Sequence, residues 1–285
     1  MSSFVKKIEY TDGWYYGECY GNTPHGSGRF LFNSGTVYEG GFKNGKFHGR
    51  GFIRFTDGNS YIGDFVEDIY HGYGTLIYKT GGWSYKGEFK NGKCDGKGIT
   101  IYDNGNVHDG NYSKGFYHGY GVLMNKCNGW TYKGEFKYGE FDGKGTTIYD
   151  DGEVYEGSYS KGYFSGHGKY LYNDGTKYEG NFYEGERHGT GIICYPNGNM
   201  YNGDFRHGKL CGKGTYFFEN GNTYFGQFEN DNFNGYGILI NKCNGWTYKG
   251  EFKDDQFDGQ GTTIYDDGEV YEGSYSEGYF SGYGT

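Results

Sequence analysis

The sequence predicts an all-β chain built as an array of stacked β-hairpins, and three observations predict it. Of 285 residues, 59 are Gly, 35 Tyr and 23 Phe, with no alanine and only six leucines; lacking the strongest helix formers, a mainly helical fold is excluded. A Tyr-x-Gly-x-aromatic signature returns every 23 residues, or 24 in three steps, and low-complexity sequence does not hold such a register. Asp-Gly and Asn-Gly pairs separate the aromatic runs, as hairpin turns require. Gly does not fall at every third position, so a collagen helix is excluded too.

Residues 1–14 precede the first full copy and are read as an N-terminal strand or partial cap. The array occupies 15–285, with units starting at Tyr15, Tyr38, Tyr61, Tyr85, His108, Tyr132, Tyr155, Tyr178, Tyr201, Tyr224, Tyr248 and Tyr271, the last incomplete. In Tyr38-Glu39-Gly40-Gly41-Phe42-Lys43 the aromatic, Gly and aromatic fall at alternate positions, hence on one face of a strand. A second strand is expected at Gly51–Phe55, after which Thr56-Asp57-Gly58-Asn59 returns the chain to Tyr61. The Asp-Gly and Asn-Gly pairs are assigned type I′ turns, which need positive φ. The Gly between two rings leaves room for a neighbouring ring over the backbone, offsetting what Gly costs in a strand. A Gly-x-Gly marker, such as Gly49-Arg50-Gly51, completes all twelve copies.

The formal charge is −9, the wrong sign for a nucleic-acid surface, which needs a dense field of Lys and Arg. It is unevenly placed: 254–285 holds eight carboxylates and no Lys or Arg, whereas 1–60 has seven basic and five acidic residues, net +2. No apolar run approaches the roughly 18 residues a bilayer span needs, and the N-terminus lacks an apolar signal core. A soluble, cytoplasmic protein is expected. Cys19, Cys94, Cys127, Cys194, Cys211 and Cys243 form no CxxC pair and are read as reduced thiols.

Candidate sites are then weighed against structural roles. Gly92–Gly98, Gly139–Gly145 and Gly208–Gly214 read GxxxGKG, but a phosphate-binding P-loop needs four residues between its glycines, a Ser or Thr after the Lys, and a helix. His25, His48, His71, His118 and His188 share a column with Asp95, Asp142, Ser165, Cys211, Asn234, Asp258 and Ser281. Equivalent positions lie two strand spacings apart, about 10 Å, too far to share one metal, so the column is read as turn-stabilising and no metal or cofactor is assigned. Trp14, Trp83, Trp130 and Trp246 each follow a turn glycine. They are expected in one column on the core-tyrosine face, either packing over a widened turn or forming a partner-binding aromatic strip. Lys86-x-Glu88-x-Lys90 and its copies read as a solvated face. No Ser/His/Asp or Cys/His constellation emerges, and no enzyme is expected.

A longer duplication lies inside the short one. Cys127–Gly168 and Cys243–Gly284 differ at six of 42 positions, at which the charge goes from +1 to −3 with no core aromatic changed. Two readings stand: ends facing different partners, or drift on a solvated face.

Tyr38-Glu39-Gly40-x-Phe42-x-x-Gly45-x-x-His48-Gly49-x-Gly51 resembles the MORN (membrane occupation and recognition nexus) repeat, and the resemblance covers 15–285. Departures are His108 for the first aromatic, Cys19 for the second and the incomplete twelfth copy. The resemblance implies an elongated, twisted, single-layer antiparallel sheet, a hairpin solenoid. It implies a non-catalytic scaffold for other proteins, in a cytoskeletal, ciliary or membrane-associated setting. A second implied role is a peripheral module for anionic phosphoinositides; charge restricts it to the N-terminal end, at Lys6, Lys7, Arg29, Lys43, Lys46, Arg50 and Arg54. A third is the regulatory segment of a larger enzyme of phosphatidylinositol-phosphate kinase or SET methyltransferase type. Because unit twelve stops mid-repeat, either a longer chain or self-association through terminal edge strands is expected.

Overall fold

The structure, a computed structural model, describes residues 4–281. It falls into two compact units, 1–142 and 143–285. Each repeat of a solenoid touches only its sequence neighbours, so compactness is local and a long array divides. In the first unit β1 (Phe4–Tyr10), β2 (Gly13–Tyr20), β3 (Thr23–Phe32), β4 (Val37–Lys43) and β5 (Lys46–Arg54) pair antiparallel in chain order. The same pairing runs on to the strand Trp130–Lys137. The second unit repeats it through Tyr279–Ser281. One 3-10 turn, Lys79–Gly81, is the only helical segment among the described residues.

Two kinds of turn alternate, and the type I′ turns are not where the sequence places them. They close the hairpin inside the repeats from the second onward: Asn44 and Gly45 both take positive φ, 53° and 84°, and strand β5 starts at once at Lys46 rather than at Gly51. At Asp57-Gly58 only the Gly is left-handed, φ 88°. There Gly58 N–H donates to the Phe55 carbonyl (3.2 Å), Phe55 N–H to that of Asn59 (2.9 Å), and Asn59 N–H to the Asp57 carboxylate (2.9 Å). This is a three-residue turn with one αL residue. Asn104, Asp151, Asp174, Asn197, Asn220 and Asp267 make the same Asx contact two residues on.

The first tyrosine of each repeat explains the glycines. Its ring lies flat over the paired Gly columns: a Cβ on Gly51 would come within 2.4 Å of Tyr38 Oη. All eleven such tyrosines, from Tyr15 to Tyr271, donate the hydroxyl to the backbone carbonyl three residues on, at 2.6–3.3 Å. Where the residue nine positions later is aromatic it lies against the ring, as Phe47 on Tyr38 (3.7 Å, 10°) and Phe257 on Tyr248 (3.9 Å, 18°). The aromatic four positions later meets it edge-on, as Phe42 and Phe252 do. Such pairs add about 0.5–1.5 kcal/mol each beyond burial. Burial pushes the phenols from Tyr15 to Tyr248 up, Tyr178 to about 12, so these ten remain donors at any ordinary pH. One layer of sheet thus builds its core from rings lying on its own backbone.

Two variations follow chemical logic. Where the edge-on aromatic is Tyr, a Thr stands on the preceding strand to bond its hydroxyl: Thr100 with Tyr112 (2.6 Å), Thr147 with Tyr159 (2.6 Å), Thr263 with Tyr275 (2.7 Å). Where it is Phe, no partner is required. In the fifth repeat His108 replaces the flat tyrosine. It is fully buried, stacks on Tyr117 at 3.6 Å and bonds Tyr112 through Nδ1 at 2.8 Å. Shorter than Tyr, it leaves Nε2 without a partner, and burial lowers its pKa to about 4.

Candidate interaction surfaces

Strand alternation gives each unit a ring face and an open face. Polar groups near the rings are committed to the backbone. Each hairpin carries a register irregularity, as between Gly63 and Asp64, where Gly72 takes φ 60°. The free N–H beside it is accepted by a carboxylate on the partner strand. Tyr73 N–H goes to Asp64 (3.2 Å), Lys97 N–H to Glu88 (3.1 Å), Lys213 N–H to Asp204 (3.1 Å) and Gln260 N–H to Glu251 (3.3 Å). Glu88 and Glu251, which the sequence assigns to a solvated face, therefore hold the bulge. The legible signal was an acid or amide three residues after the core tyrosine, nine before the middle of Gly-x-Gly.

The open face is not purely polar. Across it run cross-strand rows such as Tyr16–Arg29–Glu39–Phe52–Ile62 in the first unit and Ile192–Asn202–Thr215–Phe225–Ile238 in the second. In the second unit this face holds two hollows. One, of about 510 Å³, is floored by Val154, Leu171, Ile192 and Cys194 and edged by the Lys169–Glu179 ion pair (3.3 Å). The other, of about 540 Å³, lies among Thr215, Phe225, Tyr236 and Ile238. Phe225 and Tyr236 are 44% and 59% exposed, and large rings left to solvent at a concavity are what a partner's apolar side chains would cover.

The fold, register and ring ladder are those of one repeat family. MORN repeats match at 15–37, 38–60, 61–83, 85–107, 108–124, 132–154, 155–177, 178–200, 201–223, 224–241, 248–270 and 271–285. The chain belongs to the MORN repeat family. No curated protein matches it. Among solved structures it is similar to the TCP10 domain of Danio rerio CPAP in complex with a peptide of Danio rerio STIL. That match has 12% identity, covers 96% of this chain and 100% of that one, and has a TM-score of 0.32. It is also similar to the Drosophila melanogaster SAS-4 (dCPAP) TCP domain in complex with a proline-rich motif of Ana2, at 12% identity, 63% and 84% coverage and a TM-score of 0.31. Scores of this size carry no argument about the MORN chain.

The MORN array distributes the sequence-predicted residues unequally. Trp83, Trp130 and Trp246 begin strands two residues before the core tyrosine and pack on neighbouring rings, Tyr78 at 5.2 Å, Phe141 at 5.8 Å and Phe257 at 5.8 Å. Trp14 does not join that column. It precedes Tyr15 by one residue and pairs with Glu9 and Leu31, so alternation puts it on the open face, under the Lys7 ammonium at 5.3 Å. One residue fewer between the tryptophan and the core tyrosine makes the difference.

The seven basic residues form no single patch. Lys6 shares the register row of the ring-face Gly17 and caps the turn at Gly21 and Asn22. Lys7, Arg29, Lys46 and Arg50 pair with Glu9, Glu39, Glu67 and Asp64 at 3.2–3.8 Å. Lys43 faces Lys46 at a hairpin tip, and Arg54 lies beside Val37 and Ser60. The histidine column sits at the bulges, as His71 opposite Asp64. Among the described residues no three His, Cys, Asp or Glu side chains gather where a metal could sit. All six cysteines are free thiols. No helix among these residues is long and apolar enough to cross a membrane.

Proposed function

We propose that this MORN protein is a non-catalytic scaffold that binds segments of protein partners on the open face of its hairpin array. One observation carries the reading: the first-tyrosine hydroxyls and the bulge carboxylates are spent on the protein's own backbone, while Phe225, Tyr236 and Ile238 line an uncovered hollow. A face of this kind binds through apolar and aromatic anchors, and successive repeats add their contributions. A cytoskeletal, ciliary or membrane-side setting follows from family membership and belongs to the proposal.

The test is Phe225→Glu, which puts an unpaired charge into the hollow without touching the ring ladder. Partners captured by the wild-type protein in cell extract are expected to be lost from the variant while its thermal unfolding is unchanged. Equal capture by both proteins overturns the reading.

A further inference from the structure

A third hollow in the second unit differs chemically from the other two. It encloses about 740 Å³ beside the hairpin tip at His207-Gly208, and Arg206, His207, Lys209, His188, Cys211 and Asn234 line it. Both tip residues have positive φ, 48° and 78°, so the type I′ turn sets Arg206 directly opposite Lys209. Like charges directly opposite across a hairpin repel. Neither cation makes an ion pair with a carboxylate among the described residues.

The two carboxylates that also border the hollow are engaged. Asp204 accepts the Lys213 N–H at 3.1 Å, and Glu229 accepts from Asn234 Nδ2 at 3.2 Å. His207 is shared with Glu186 through Nδ1 at 3.0 Å. The site therefore has two cations outside any ion pair, one of them a guanidinium fork suited to bidentate oxyanion binding, and two carboxylates held by neutral donors.

The geometry points to a phosphoryl-binding site: Arg206 and Lys209 clasp the phosphate of a phosphorylated side chain on a protein partner. The inference rests on the scaffold reading and supplies a chemistry for one of its partners. Charge decides for a peptide over a lipid surface. Residues 143–285 hold 11 Lys and Arg against 21 Asp and Glu, net −10, and Glu184, Glu186, Glu229 and Asp231 occupy the adjacent tips. An anionic leaflet would meet that whole field, whereas one phosphate entering the hollow meets the local cations first. His188 and Asn234 supply further polar groups to hold it.

The probe is a blocked phosphoserine pentapeptide, Gly-Gly-pSer-Gly-Gly, with its unphosphorylated twin, titrated into the full chain and followed by chemical shift. Saturable binding of the phosphopeptide alone is expected, weakened tenfold or more by Arg206→Gln and several-fold by Lys209→Gln. Lys90→Gln, at another like-charged tip (Lys90 opposite Lys93), is expected to leave it unchanged. All three positions are exposed, and matching circular dichroism melts establish that the variants fold. Equal binding of the two peptides, or an unmoved affinity in Arg206→Gln, overturns the proposal. So does co-sedimentation with phosphatidylinositol-phosphate vesicles by a protein that ignores the phosphopeptide. Failure here, with Phe225→Glu still abolishing partner capture, removes the phosphoryl site and leaves the scaffold standing.

Discussion

Cys127–Gly168 and Cys243–Gly284 are nearly the same sequence twice over, and among the described residues their differences lie where side chains face water. Both keep the flat tyrosine on its carbonyl at 2.8 Å, the stacked Phe at 3.8 and 3.9 Å and the Thr–Tyr pair at 2.6 and 2.7 Å. The changes Tyr138 to Asp254, Gly139 to Asp255, Glu140 to Gln256 and Lys161 to Glu277 cluster at hairpin tips. Lys144 to Gln260 keeps its bond to a serine, 2.8 Å to Ser158 and 2.9 Å to Ser274; the sixth change, His167 to Tyr283, lies outside the described residues. Geometry is enforced by the rings; charge at the tips is free to vary.

The strongest way to break the comparison is to attack the shared ladder. Tyr132→Ala and Tyr248→Ala each remove a buried ring, its stacked partner and its hydroxyl bond. Each is expected to cost about 3–5 kcal/mol, equally in both copies. Native-state hydrogen exchange of the affected strands should be read, because a long array does not unfold as one unit. Costs differing by more than about 1 kcal/mol would show that the copies are not energetically equivalent.

His108 is a natural break in the same ladder. Its folded pKa of about 4 lies below the ordinary 6.5, so between those values the unfolded chain binds a proton that the folded chain refuses. Stability is complete above about pH 6.5, falls as the pH drops towards 4, and levels off below. The loss approaches about 3 kcal/mol in this repeat. His108→Tyr is expected to abolish that slope and to add a bond to the Asn111 carbonyl, as its sister tyrosines do. An unchanged acid profile in the variant contradicts this account.

A smaller effect separates burial from hydrogen bonding. Thr263→Val leaves the buried Tyr275 hydroxyl unsatisfied, at about 1–3 kcal/mol, and adding Tyr275→Phe should recover most of the loss. The double-mutant cycle should give the same coupling at Thr147 and Tyr159. Additive losses would mean that the hydroxyls do not cooperate.

How much of this was legible follows from what each feature depends on. The repeat, its strands and the role of the paired glycines could be read because period, alternation and ring size are local. The turn types were exchanged because both turns contain Asn or Asp beside Gly; only the φ of the first residue separates them, and Asn44 is left-handed where Asp57 is not. Trp14 was misplaced because one residue fewer between it and the core tyrosine reverses the face. Glu88 looked solvated because its partner, the Lys97 N–H, lies across the hairpin. The hollow at Arg206 depends on adjoining hairpins and has no linear signature.

The tips provide the finest test of what the duplication left free. Gly139 takes φ 90° at no steric cost, whereas Asp255 takes φ 67° with a strain of about 1 kcal/mol. Its carboxylate accepts the Phe233 N–H at 2.7 Å, a bond the glycine cannot make, and Asp68 and Asp231 do the same for Phe47 and Leu210. Strain and bond roughly cancel, so Asp255→Gly should change stability by less than about 1 kcal/mol. Asp255→Ala keeps the strain and loses the bond, and should fall about 1–2 kcal/mol below wild type. Asp255→Asn retains both the acceptor and the tolerance of left-handed backbone and should stay near wild type. The order Asn ≈ Gly > Ala, measured by exchange of the Phe233 amide, marks the aspartate as a tip clamp. Alanine at wild-type stability would reduce the second copy's acidic tip to drift on a solvated edge.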